Sequence, residues 1–284
     1  MSIVVENLSH IYMKGSPFER KALDNVSLVI NQGEFVGIIG HTGSGKSTLV
    51  QHFNGILKPT SGRVIVDGID TSNKGLKELR KKVGIVFQYP EQQLFEETVY
   101  KDIAFGLKQL NQKEDEIDKK IRKVIKIVGL NEDVLEKSPF ELSGGQKRRV
   151  AIAGILVMEP SILVLDEPAA GLDPKGRNEI FGFLQKLYNQ TKITIIIVSH
   201  NMEEVAKIVN RVIVINKGKI AMDGSPREIF SNVSELENIG LSAPQITYLM
   251  KKLKKKIPDL RDDIFTVEEA KKEILRYLKG GTHD

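Results

Sequence analysis

The chain has 284 residues, 40% apolar and 28% charged, with 42 basic against 37 acidic side chains and a formal net charge of +5. That balance suits one large globular core with small appendages, and the basic residues are spread along the chain instead of gathered in the stripe that nucleic acid requires. Cysteine is absent, which removes disulfides, thiolate chemistry and cysteine-held metals and fits a reducing cytoplasm.

The opening MSIVVENLSH has neither the charged nor the apolar region of a secretion signal. Next, SIVVENL, VSLVI, EFVGIIG, GRVIVDG and KKVGIVFQ read as strands, because β-rich runs are separated by Gly, Asn and Asp turns. From Thr98 to about Met158 the pattern turns helical. Ile117, Ile121, Val124, Ile125 and Val128 recur at helical spacing, with Asn111 and Glu114 placed as a cap and Gly129 as a stop. Strands return at SILVLDE, ITIIIVSH and RVIVIN, with a helix between the first two. Fully apolar strands alternating with helices predict a buried parallel sheet. The longest apolar runs, such as Ile193 to Val198, fall far short of the ~18 residues a membrane helix needs. Any membrane role is therefore expected to come through a partner.

VINKGKIAMDG reads as a closing hairpin, and Ser225-Pro226 as the cap and first residue of a short helix. After about Ser231 the composition becomes that of a helical tail. Ser242 is expected to cap a helix carrying Ile246, Leu249, Met250 and Leu253 on one face. A second helix opens with a capping box, Thr266 and Glu269, stops at Gly280-Gly281, and presents Val267, Ala270, Ile274 and Leu278. There is no internal repeat, and the only biased run is KKLKKK.

Chemistry concentrates in a few motifs. EFVGIIGHTGSGKST places a strand, then Gly40-x-x-x-x-Gly45-Lys46-Ser47, then a helix. Glycines let backbone N–H groups turn inward onto phosphate, and the helix N-terminus adds positive potential. Lys46 is placed to reach the β- and γ-phosphates and the Ser47 hydroxyl to ligate Mg²⁺. SILVLDEP ends an apolar strand in Asp166, where a carboxylate can hold Mg²⁺ through water. Glu167 follows, placed to orient or deprotonate an attacking water. His200 and Gln88 end two further strands. In an open α/β sheet the carboxyl ends of neighbouring parallel strands face one crevice, so His200 converges on Glu167, and Gln88 could ligate Mg²⁺ or the water. His10, His41 and His52 have no partner at metal-ligand spacing and read as structural.

A second anion cradle stands at Ser143, Gly144, Gly145 and Gln146, where Ser143 caps the helix GGQKRRVAIAGILV. One nucleotide does not need both cradles. In a two-fold pair the second cradle of each copy would close over the nucleotide of the other.

With GHTGSGKST, LSGGQ, ILVLDEP, GLD and SH in that order, the chain resembles the ATP-binding cassette (ABC) ATPases over roughly residues 1–232. LSGGQ discriminates, since other phosphate-loop proteins lack it. The resemblance implies an α/β P-loop NTPase (RecA-like) core with an N-terminal antiparallel β subdomain. It also implies an inserted helical subdomain over about residues 92–158 and a short helical extension over 233–284, whose apolar faces suit either dimer contacts or folding back onto the cassette. By the same resemblance Gly40, His41, Thr42, Gly43, Ser44, Gly45, Lys46, Ser47 and Thr48 form the phosphate loop, and Tyr12 stacks on adenine, with Phe18 as an alternative. Gln88 ties Mg²⁺ to the transporter-facing subdomain. Ser143 to Gln146 and Asp173 reach the opposite subunit's nucleotide, Glu167 is the catalytic base and His200 the switch histidine.

YPEQQLFEETV after Gln88, and the short tail, resemble the ATPases of energy-coupling factor (ECF) importers for vitamins or metal ions, and the second of their usual pair. That resemblance implies a second ATPase, a transmembrane coupling protein, a small membrane substrate-binding protein, and a place on the cytoplasmic face of the cell membrane. Leu94 and Phe95, apolar in a polar loop, suit docking of the coupling protein; the alternative is that both tuck into the helical subdomain's own core. Two other readings remain open, an importer or exporter of another ABC type and a non-transport ABC ATPase. Against the latter, the basic cluster Lys251 to Lys256 sits at a predicted helix end, where cations are favourable and usually just solvated.

Overall fold

The computed structural model describes residues 2–280. Strands β1 (Ile3–Tyr12) and β2 (Arg20–Ile30) pair antiparallel, and β3 (Phe35–Ile39) follows them into a different sheet. Helix α1 (Lys46–Phe53) leads back to β4 (Ser61–Val66) and the short β5 (Ile69–Asp70), completing an antiparallel sheet in the order β2-β1-β4-β5. Helix α2 (Lys77–Lys82) then delivers β6 (Val83–Val86) to the edge of the second sheet.

A helical segment interrupts the strands: α3 (Val99–Lys108), α4 (Glu114–Ile127) and α5 (Gly144–Leu156), with α5 packed on both others. The alternation resumes with β7 (Ile162–Asp166), α6 (Pro174–Thr191), β8 (Thr194–Ser199), α7 (Met202–Ile208), β9 (Arg211–Asn216) and β10 (Lys219–Gly224). The second sheet runs β10-β9-β3-β8-β7-β6, parallel from β9 to β6, with β10 antiparallel at one edge. β3, β7 and β8 are buried along their whole length, which is why they read as unbroken apolar runs and not as alternating ones.

Each face of this sheet has its own core. Val36, Ile38, Val164, Ile196 and Ile213 pack with α1 and the antiparallel sheet. Phe35, Ile39, Leu163, Leu165 and Ile197 pack with the helices, in one continuous cluster that takes in Ile103, Ile121 and Val150. Truncating a core side chain of this kind, such as Phe35, costs about 3–5 kcal/mol.

The tail comprises α8 (Pro226–Ser231), α9 (Val233–Asn238), α10 (Gln245–Lys254) and α11 (Val267–Gly280). α8 carries a full capping box from Ser225 to Glu228. Three expected caps differ from the structure. Asn111 does not cap α4: it adopts φ 54° and donates its N–H to Lys108, closing the turn after α3, and Lys113 holds the cap position of α4. Ser242 is too far upstream to cap α10, because Pro244 holds the cap position and the helix starts at Gln245. Thr266 accepts the Glu269 N–H at 3.2 Å, but the Glu269 carboxylate turns to Arg227 instead of completing the box.

Met250, Ile264 and Ala270 form a small tail core with Ile246, Leu253 and Ile274. Leu249, Val267 and Leu278, placed with them by periodicity, are instead exposed at 46%, 58% and 58%. The expected stop at Gly281 lies outside the described residues. No helix among the described residues is long and apolar enough to cross a membrane.

Candidate functional site

The phosphate loop hangs between the end of β3 and the start of α1. At Gly40 the backbone takes φ 152° and a side chain would meet the Ile215 carbonyl at 2.2 Å; at Gly45 the values are 110° and 2.6 Å, to the Ala22 carbonyl. Only glycine fits either place. Lys46 is buried, and its Nζ donates to the Gly40 and His41 carbonyls at 2.8 Å each, curling over the loop. Burial pulls the Lys46 ammonium below its ordinary range, opposed by the charges of Glu167 and Asp166. Ser44 Oγ is buried with no hydrogen-bond partner. An orphaned hydroxyl and a curled cation at a helix N-terminus suit an anion. His41, Thr42, Gly43 and Ser47 are exposed, while Ser44, Gly45 and Thr48 are buried.

Asp166 ends β7 facing this loop. Burial raises its carboxyl above the usual range, while a hydrogen bond from Ser47 opposes that rise. Ser47 and Asp166 therefore meet, and hard oxygen donors of this kind suit Mg²⁺ with water completing its shell. Glu167 adopts φ 51° and donates its N–H to the Val198 carbonyl at 2.9 Å. A non-glycine residue held there costs on the order of 1–3 kcal/mol and clusters at functional sites. Its Oε1 accepts from His200 Nδ1 at 2.8 Å. Glu167 is mostly buried and His200 is 71% exposed, so the imidazole's other nitrogen is open to a ligand. Gln88, beyond the end of β6, is exposed at the same edge of the sheet.

Tyr12 lines a cavity of about 160 Å³ with Arg20, Ala22, Gly43, Gly45, Lys46, Ser47 and Thr48. Phe18 is not among its walls and is 79% exposed. The Tyr12 hydroxyl meets Thr48 Oγ1 at 3.2 Å, and its ring stands edge-on to His10 at 4.6 Å.

His10 and His52, unpaired by sequence spacing, are partners in space. His52 Nδ1 donates to the Thr48 carbonyl at 2.7 Å, so its Nε2 accepts from His10 Nδ1 at 3.2 Å, which is shared with the Lys58 carbonyl. Burial is the main cause that depresses the His52 pKa from 6.5 to about 4. Above the unfolded value both states are neutral and the stability is fully present; below it only the unfolded chain takes the proton, until the folded form does so near pH 4. Unfolding free energy should therefore fall by about 2 kcal/mol between about pH 7 and about pH 5 through His52 alone. Urea titrations at both pH values should show that slope reduced by the same amount in His52→Gln. An unchanged slope removes the assignment.

The second cradle is built by a capping box. Ser143 Oγ accepts the Gln146 N–H at 3.4 Å and Gln146 Oε1 accepts the Ser143 N–H at 3.0 Å. Ser143 and Gly144 are exposed, and a side chain added at Gly144 or Gly145 would meet nothing within 4 Å. Among the described residues, no hydrogen bond joins positions 143–146 to the phosphate loop. Asp173 is exposed and caps α6, its Oδ1 accepting from Gly176 at 2.7 Å.

Arg148, five residues after Ser143, was not singled out by the sequence and is 1% exposed. Its guanidinium grips Glu91 with two bonds of 2.9 and 2.7 Å and donates to the Pro168 and Ala170 carbonyls at 3.0 and 2.8 Å. Removing one partner of a buried pair of this kind costs about 3–5 kcal/mol. An arginine on an otherwise apolar helix face was the available signal, but two adjacent arginines made it ambiguous.

Leu94 is partly buried against the core next to the helices, whereas Phe95 is 61% exposed and stands edge-on to Phe105 at 5.1 Å. The sequence-level pair thus splits, one residue inward and one outward. A groove of about 410 Å³, lined by Ile56, Arg80, Phe87, Ile155 and Met158 among others, runs along β6, and neither Gln88 nor Phe95 is among its walls.

Residues 23–170 match the ABC transporter family. The Energy-coupling factor transporter ATP-binding protein EcfA2 of Acetivibrio thermocellus is 67% identical over 279 residues, covering 98% of this chain and 99% of the relative. The protein of the same name from Clostridium tetani is 60% identical, covering 97% of each. Among solved structures, cbiO1 from Clostridium perfringens, part of the ABC transporter complex cbiONQ, superposes with a TM-score of 0.75 at 43% identity, covering 88% of this chain and 98% of that one. The ATP-binding cassette MJ0796, solved as a post-hydrolysis dimer with ADP and Pi, does so at 0.70 and 32% identity, over 79% and 98%. A phosphate loop facing a strand-end Asp-Glu pair, together with these full-length likenesses, places the chain in the ABC transporter family, as an ATPase grouped with the ATP-binding proteins of energy-coupling factor transporters.

Proposed function

We propose that this chain is the ATP-hydrolysing motor subunit of an ECF-type importer, working on the cytoplasmic face of the membrane beside a second ATPase. The observation that carries the reading is the divided site. The phosphate loop, Asp166, Glu167 and His200 converge in one crevice, while the cradle at Ser143 to Gln146, open at Ser143 and Gly144, makes no hydrogen bond to it among the described residues. The dimeric MJ0796 cassettes support a partner that completes the site.

In this reading Tyr12 stacks on adenine. Gly40 to Thr48 bind the phosphates, with Lys46 released from its two carbonyls to reach them. Ser47, Gln88 and, through water, Asp166 hold Mg²⁺, which would neutralise developing charge on the transferred phosphoryl group. Glu167 orients and deprotonates the attacking water, and His200 fixes the Glu167 carboxylate through its 2.8 Å bond. Ser143, Gly144, Gly145, Gln146 and Asp173 act on the nucleotide of the neighbouring subunit. Binding of ATP closes the pair, and hydrolysis with phosphate release reopens it.

Phe95, exposed on the loop that follows Gln88, is the docking point for a transmembrane coupling protein. Phe95→Glu should lose that membrane partner on purification while the soluble ATPase stays folded, because the ring is exposed. Full recovery of the complex with this variant removes the docking role. The reading as a whole is tested by extracting the tagged chain gently from its native membranes and identifying its companions by mass spectrometry. A second similar ATPase, a coupling protein and a small substrate-binding membrane protein are the expected set. A permease with an external binding protein would overturn the importer class and leave the ATPase standing.

A further inference from the structure

Arg148 ties together three segments that the proposed cycle must move in concert. It belongs to α5, whose N-terminus carries Ser143 to Gln146. It holds Glu91 in the turn Pro90–Gln93, between Gln88 and the docking residue Phe95. It also holds the carbonyls of Pro168 and Ala170, which lie between Glu167 and Asp173. Tyr89 strengthens the same junction: it adopts φ 55°, and its ring edge lies 3.3 Å from where a side chain on Gly171 would start.

We infer that the Arg148–Glu91 pair is a positioning strut that transmits docking of the membrane partner to both halves of the divided ATPase site. The inference rests on the docking reading above. Arginine alone suits the post, because its planar fork grips a carboxylate with two bonds and still has donors left for two carbonyls. A shift of the docking turn pulls Glu91, and Arg148 moves with it. Because the same guanidinium also holds residues 168 and 170, the trans cradle and the segment between Glu167 and Asp173 shift together. Neither Arg148 nor Glu91 lines the cavity at Tyr12 and the phosphate loop, so the pair acts through other residues.

The test uses the intact complex in lipid vesicles and compares its ATP turnover with that of the ATPase pair alone. Glu91→Gln is expected to change the ratio of the two rates by at least about 5-fold, with the KM for ATP held within about two-fold. Arg148→Gln and Arg148→Lys should do the same, since lysine keeps the charge but loses the fork. The double variant Glu91→Gln/Arg148→Gln should be no worse than the worse single one, as expected of one shared contact. If the buried arginine variants fail to fold, Glu91→Gln decides, because that side chain is 21% exposed. An unchanged ratio overturns the strut, as does a loss of both rates in proportion to a lowered melting temperature. The docking reading has its own arm in Phe95→Glu. Intact assembly of that variant removes docking, whereas lost assembly together with an unchanged ratio in Glu91→Gln removes only the strut.

Discussion

Glu167→Gln is expected to lower ATP turnover by about 10²–10⁴-fold, the usual contribution of a positioned general base. The substitution is nearly isosteric, and the amide oxygen can still accept the 2.8 Å bond from His200 Nδ1, so the geometry of the crevice should survive. In the proposed function ATP binding draws on the phosphate loop and the second cradle, not on this carboxylate. Binding should therefore persist while hydrolysis stops, and the protein should accumulate as an ATP-loaded pair. Phosphate release measures the first effect, and size-exclusion chromatography with ATP and Mg²⁺ measures the second. Near-normal turnover would remove Glu167 from the base role. A monomer throughout, with turnover abolished, would instead count against closure of a pair around ATP.

Gly145→Asp should abolish hydrolysis without unfolding the chain. A side chain at this position meets nothing within 4 Å, and a carboxylate in the first turn of α5 favours the helix by about 0.3–1 kcal/mol. Stability should therefore hold or rise slightly. Placed against the γ-phosphate of a neighbouring subunit, the same carboxylate sets like charges together at a cost of several kcal/mol, so turnover should fall by at least about 100-fold. Thermal unfolding and phosphate release together separate the two outcomes. Wild-type turnover in Gly145→Asp would show that the cradle at Ser143 to Gln146 does not meet nucleotide. Lost turnover with lost stability would point to a structural role for Gly145.

Legibility followed the range of the interactions. The fully apolar runs around Ile38, Val164 and Ile197 announce buried parallel strands, because a strand covered on both faces has no polar side to display. The turn glycines at positions 40 and 45 stand out for a similar reason: a Cβ at either would fall within 3 Å of another residue's carbonyl, so no side chain is admitted. Helix ends were harder to place. Asn111 and Ser242 have the chemistry of caps, but Asn111 is consumed by the end of α3 and the rigid ring of Pro244 takes the position Ser242 was expected to fill. Periodicity also over-assigned the tail faces. Leu249 and Met250 are neighbours in sequence, and only packing against Ile264 and Ala270 shows which of them points inward.

The sequence by itself determined the local features: the glycine turn between β3 and α1, the carboxylate that ends β7, and the cap at Ser143 that opens α5. Those signals are local, because a phosphate loop or a strand-end carboxylate requires particular residue types within a few positions of one another. Only the tertiary structure decided the pairings that cross the chain. It set His10 against His52, and Arg148 against Glu91 with the carbonyls of residues 168 and 170. Each joins groups at least thirty positions apart or on different elements, where no spacing rule applies. Their cause is desolvation: a buried imidazole or guanidinium must find partners wherever the folded chain brings them, and one sequence does not say where that is.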